Sequence, residues 1–167
     1  MEIRSWALEL MALSPAEIRA RLEVVKARIF PLPEAEAERE VMAWLSNPAD
    51  PAFPSVLQNA DGAPDSDRLP PGVARFLSRY SILDTGGDTR ISHEELRPMD
   101  DGVHVVIGHA SDALIVAARD SERIWFLQPL DLEDGTWPTP YPSLWHLLLV
   151  ERATVLPGWW RVDRREG

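Results

Sequence analysis

From Leu69 to Leu149 the chain sets helix signals and β-rich runs in an order that builds a helix-covered antiparallel sheet. The β-rich runs lie at residues 103–108, 114–119 and 123–128. Asp120-Ser121-Glu122 separates the last two, a connection of hairpin length, and His109-Ala110-Ser111-Asp112-Ala113 joins the first two. Parallel neighbours would need a crossover of roughly a dozen residues or more, so the three runs form a meander. A Pro-led helix, Leu69-Pro70-Pro71-Gly72-Val73-Ala74-Arg75-Phe76-Leu77, precedes them, and a Ser143-led helix over residues 143–150 follows. The expected class is α+β: an antiparallel sheet (meander) flanked by helices, with an N-terminal helical extension.

The first 46 residues read as helices. Ser14-Pro15-Ala16-Glu17 is a capping box with Pro at the first helical position, and Ile18, Leu22, Val25 and Ile29 then share one face. Pro31 and Pro33 stop that helix, and residues 34–45 resume with an acidic first turn and bury Val41, Trp44 and Leu45. Trp6, Leu10 and Leu13 mark a shorter helix before it. Residues 46–71 hold six prolines and read as a connector, neither helix nor central strand. Phe53, Val56 and Leu57 tack its first half to the core, and residues 58–68 form a loop. The expected organisation is a helical layer at 1–46, a connector at 47–68 and an α+β domain at 69–167, in one unit. Asp131-Leu132-Glu133-Asp134-Gly135 reads as an acidic loop, residues 137–142 as extended, and Trp125 and Trp145 as core.

Composition bounds the function. The 45% apolar content and seven Trp call for a packed core, and no apolar run approaches the roughly 20 residues of a membrane span. There is no Cys, so thiolate metal sites and disulfides are excluded; with no basic-then-apolar leader at the N-terminus, a cytosolic setting is expected. The net charge is −10, and residues 61–135 hold 15 acids against seven bases. Nucleic-acid binding needs a basic footprint and is disfavoured, whereas a negative field attracts a basic protein.

Three strings bear on chemistry. Leu83-Asp84-Thr85-Gly86 matches the aspartic-protease signature, but that reaction needs two such loops sharing a proton and a strand before each; here a helix is expected before Asp84. Asp84 to Glu95 resembles an EF-hand loop, with Phe76, Leu77, Tyr80 and Leu83 as its entering helix. Gly86 and Thr89 occupy the third and sixth positions, where a ligand and the turn Gly belong, so no calcium binding is expected. His93, His104, His109 and His146 form no metal or nucleophile arrangement, and His146 lies in an apolar helix. No enzyme and no cofactor are expected.

The order of segments resembles the SUKH superfamily of bacterial immunity proteins. Leu69 to Leu77 is similar to its opening helix; Ile91-Ser92-His93-Glu94-Glu95-Leu96 to its Ser-x-Glu-Glu segment; Val105-Val106-Ile107-Gly108 to its hydrophobic-Gly strand; and Ser143-Leu144-Trp145-His146-Leu147-Leu148 to its last helix. The resemblance covers about half the chain and implies an immunity protein that neutralises a cognate toxin by covering its active site, as a monomer. On that reading the partner-binding candidates are the loop residues Asp100, Asp101, Asp112, Asp131, Glu133, Asp134, Trp137 and Tyr141, with Trp137 the best exposed aromatic. The alternatives are an acidic chaperone for a secreted effector, normally a dimer, and a calcium-responsive regulator.

Overall fold

The computed structural model describes residues 5–64, 69–86, 88–156 and 158–164; residues 65–68 of the connector and Gly87 of the Asp84 loop lie outside them. Its organising element is a helix, Leu144–Thr154 (α6 below), in which every residue from Leu144 to Val150 is buried. A helix apolar on all sides needs neighbours on all sides. The sheet and the helix Pro71–Arg79 (α4) supply some of them, and Pro15–Ile29 (α2) and Glu34–Leu45 (α3) supply the others. Ser143 caps α6 by accepting from the His146 N–H at 3.3 Å.

The described residues hold seven strands: Val56–Asn59 (β1), Tyr80–Asp84 (β2), Thr89–Ser92 (β3), Arg97–Pro98 (β4), His104–Ala110 (β5), Ala113–Ala118 (β6) and Ser121–Leu127 (β7). They form one antiparallel sheet in the order β1-β2-β3-β5-β6-β7, with β4 also pairing β5. The fold is therefore α+β, and β5-β6-β7 is the meander expected from the sequence. Beyond β7, residues 136–142 run along the open edge: Ile124 donates to the Tyr141 carbonyl at 3.0 Å and Tyr141 donates back at 2.7 Å.

The Gly of the hydrophobic-Gly strand has a steric reason. Gly108 faces Ile91 across β3–β5, beside a register shift, and a Cβ there would stand 2.2 Å from the Arg90 carbonyl oxygen. Only a residue without a side chain lets the two backbones come so close.

Residues 22–45 share the main core rather than standing beside it. Val25, Ala37, Val41, Trp44 and Leu45 belong to the same buried cluster as Phe76, Ile107, Ile115 and Leu148. The expected capping box is present, with both Ser14–Glu17 bonds at 3.1 Å. His146 joins the layers: its Nε2 donates to the Leu32 carbonyl at 2.8 Å, and its Nδ1 accepts from the Ser143 hydroxyl at 2.7 Å. The short N-terminal helix is Ser5–Met11 (α1).

Three local expectations are corrected. The connector holds β1, which as an edge strand pairs only β2 and so tolerates flanking prolines. A strand, not a helix, precedes Asp84, because Tyr80–Asp84 is paired on both sides and that pairing overrides the run-on from α4. The would-be calcium loop is consequently divided between β2, β3 and a 3₁₀ turn at His93–Glu95, and Asp84 accepts from the Gly86 N–H and pairs with Arg90. Lastly, Asp131–Gly135 is not a loop. Pro129–Asp134 is a helix (α5), begun by Pro129, capped by Asp131 accepting from the Gln128 N–H at 2.8 Å, and ended by Gly135 at φ 67°.

The N-terminus of α4 is capped from far along the chain. Glu122 of β7 accepts from the Gly72 N–H through both carboxylate oxygens, at 2.7 and 3.2 Å. Burial holds its pKa above the ordinary glutamate range, reinforced by nearby Glu34. Glu122→Ala is expected to lower stability by about 1–2 kcal/mol, the worth of a lost cap near the helix dipole. Urea unfolding monitored by circular dichroism measures it, and a change under a few tenths of a kcal/mol contradicts the assignment.

Candidate functional site

Alternation along β5, β6 and β7 gives the sheet two unlike faces. Val105, Ile107, Ile115, Ala117 and Ile124 point toward α4 and α6 in the main core. Val106, Val116 and Leu127 form a second, smaller cluster on the opposite face, with Met99, Leu114, Trp125 and Trp137 packed around them and partly exposed. Trp125, expected in the core, is thus an outer-face residue. The run Ile124-Trp125-Phe126-Leu127 is apolar on both parities, so the sequence alone does not say which side each residue takes.

On this outer face three aromatic rings meet. His104 lies edge-on to Trp125, with centroids 5.3 Å apart at 85°, and tilted against Trp137 at 4.5 Å and 60°. The two indoles meet edge to face at 5.6 Å and 69°. Trp137 reaches the group because the chain turns back after α5 and runs along β7.

Asp101 fixes the imidazole. One of its oxygens accepts from the backbone N–H groups of Val103 and His104, both at 2.9 Å, and the other accepts from His104 Nδ1 at 2.5 Å. Those backbone bonds lower the Asp101 pKa to about 2. The stabilising contribution of the ionised Asp101 is complete above the unfolded aspartate range near pH 4 and is lost as pH falls toward 2. Acidification from pH 4 to 2 is therefore expected to loosen the Asp101–His104 turn, read by NMR shifts of the Val103 and His104 amides. Shifts that stay flat over that interval refute it.

Val103, next to His104, is 44% exposed, and on α5, beyond the far end of β7, Leu130 and Leu132 are 63% and 42% exposed. Single exposed apolar side chains are ordinary, but Val103 adjoins the aromatic group through His104. The charges around it are of both signs. Asp100, Glu133 and Asp134 are exposed, as is Arg97, which stands opposite Val106.

The eight sequence candidates divide accordingly. Asp101 and Trp137 meet through His104. Asp100 lies in the same turn as Asp101 at one end of the strands. Asp112, in the β5–β6 turn, lies at the other end, as does α5 with Asp131, Glu133 and Asp134. Tyr141 departs from expectation: it is 6% exposed and packs in the main core against Phe30 and Phe126, because its strand-like pairing with Ile124 turns it inward. His104 and Trp125 were missed as site residues. Each was legible only through a register, His104 opposite Ala118 and Trp125 opposite Val116, that no local pattern supplies.

The other histidines have separate duties. His93 Nε2 bonds the Leu77 carbonyl at 2.5 Å, and His109 Nδ1 lies 3.0 Å from Glu95. Among the described residues no three His, Cys, Asp or Glu side chains are grouped to hold a metal ion, and no helix is long and apolar enough to cross a membrane. Comparison of the chain with known protein families, curated proteins and solved structures finds no match.

Proposed function

We propose that the protein is a non-enzymatic binding protein that meets a protein partner through the outer face of its sheet. One observation carries this reading: Trp125, Trp137 and His104 form a partly exposed aromatic surface, fixed from below by packed strands and from the side by Asp101. Tryptophans held rigidly at the centre of a patch are the usual anchors of protein interfaces, since little side-chain entropy is lost on docking. The net charge of −10 favours a basic partner, with Asp100, Glu133 and Asp134 steering its approach. The sequence motifs sharpen the proposal to a cytosolic immunity protein that covers the active site of a cognate toxin; its opening helix, Ser-x-Glu-Glu segment, hydrophobic-Gly strand and last helix fall on α4, β3 with the 3₁₀ turn, β5 and α6.

The test takes the product of the neighbouring gene as the candidate toxin. Trp137→Ala is expected to weaken binding by about 2 kcal/mol, or roughly thirtyfold, mainly through faster dissociation. Changing Asp100, Glu133 and Asp134 together to Asn, Gln and Asn should instead slow association at low salt and leave dissociation nearly alone. Asp131 and Asp101 are left intact because each caps backbone. Protection of toxin-expressing cells should fall in both variants while far-ultraviolet circular dichroism stays native. Unchanged affinity and full protection in both would remove the outer face from the interface.

A further inference from the structure

On the other side of the segment before Tyr141, between α2 and α6, lies a groove of about 580 Å³. That falls within the roughly 300–1,000 Å³ of small-molecule sites. Leu22, Phe126 and Trp159 give it apolar walls; Tyr141, the carboxylates of Glu23, Asp131 and Glu151, and the cations Arg19 and Lys26 give it polar ones. Tyr141 is 6% exposed, and among the described residues its hydroxyl has no hydrogen-bond partner. Glu151 is anchored on one side only: one oxygen accepts from the Thr89 hydroxyl at 2.9 Å, and the other has no donor among the described residues. Burial raises the pKa of both groups, and Glu151 and Glu23 push the phenol up further.

The chain already shows what chemistry the place accepts. The Lys26 ammonium stands 5.1 Å from the centroid of the Tyr141 ring and 3.4 Å from Glu23 Oε1. An aromatic face flanked by carboxylates holds ammonium and guanidinium groups through cation–π attraction and charge-assisted hydrogen bonds. Lys26 belongs to α2 and stays tethered there, leaving the far oxygen of Glu151 and the phenol hydroxyl to a second donor.

We propose that this groove binds a small organic cation, an alkylammonium or alkylguanidinium. Its head lies between Glu151, Glu23 and the Tyr141 hydroxyl, and its apolar stem lies on Leu22 and Phe126. The site uses none of the outer-face aromatics, so it stands or falls independently of the partner-binding reading.

The experiment titrates the full chain with n-butylguanidinium, and with n-butylurea as a neutral probe of the same shape, by isothermal calorimetry and tryptophan fluorescence. The expected result is saturable one-to-one binding of the cation, with the urea at least about tenfold weaker, the size of one charge-assisted bond. Glu151→Gln, which keeps an acceptor for Thr89 and hence the fold, should weaken the cation by about tenfold. Lys26→Met should tighten it by removing the tethered competitor. Glu133→Gln, outside the groove, should change nothing. The proposal is overturned if neither the natural chain nor Lys26→Met saturates, if the urea binds as well as the cation, or if Glu151→Gln binds unchanged.

Discussion

Gly108→Ala is expected to destabilise the protein by about 3 kcal/mol, at the upper end of what overpacking a well-fitted interior costs. The added methyl carbon would meet the Arg90 carbonyl oxygen at 2.2 Å and the Ile91 Cα at 3.1 Å. Both are backbone atoms in a paired strand, so no side-chain rotation relieves the contact. Relief requires β3 and β5 to separate, giving up the pairs Thr89↔Ala110, Arg90↔His109 and Ile91↔Gly108 in mid-sheet. For a chain of this size the melting temperature should fall by roughly 6–12 °C. A shift within a degree of the natural protein would mean that the strands slide past the contact freely, and the close approach would lose its structural importance.

Removal of residues 1–46 should have the larger effect. Ala37, Val41, Trp44 and Leu45 cover the side of α6 that faces away from the sheet, and all four are at most 4% exposed. At about 1.5–3 kcal/mol for each large apolar side chain, their loss alone rivals the 5–15 kcal/mol that holds an ordinary domain together. Two polar links go with them: the Leu32 carbonyl that accepts from His146, and the bond from Trp44 Nε1 to the Ala52 carbonyl at 3.1 Å. The fragment 47–167 should therefore lack near-ultraviolet circular dichroism, bind a hydrophobic dye and unfold without a cooperative transition. A cooperatively folded fragment would show instead that the first helices are an appendage.

The sequence carried the elements whose signals are local. Ser14 with Glu17 and Ser143 before an apolar run mark helix starts by hydrogen bonds within four residues, and the structure forms both. The meander was legible because connections as short as those after β5 and β6 leave one way for strands to pair. What escaped was decided across the fold. Val56–Asn59 is a strand because β2 offers it an edge, and Tyr80–Asp84 is one because it has partners on both sides. The helix α5 is of another kind, since its Pro129 start and Gly135 stop both stand in the sequence. At the site, Asp101 and Trp137 were legible as loop residues, but the ring that joins them was not. His104 acts there because the register of β5 puts it on the outer face, and a single sequence does not state a register. Tyr141 failed as a surface anchor for the same reason: one bridge to Ile124 sends its side chain into the core.

The segment running along β7 has a consequence for how the protein behaves in a crowded cell. An open strand edge invites a second chain to add to it, the first step toward cross-β growth. Here the β7 edge is met by Tyr141, and Pro138, Pro140 and Pro142 around it have no N–H to offer a newcomer. The opposite edge is β1, only four residues long. A sheet closed off in this way, on a chain of charge −10, should remain dispersed at high concentration and resist seeding by its own aggregates.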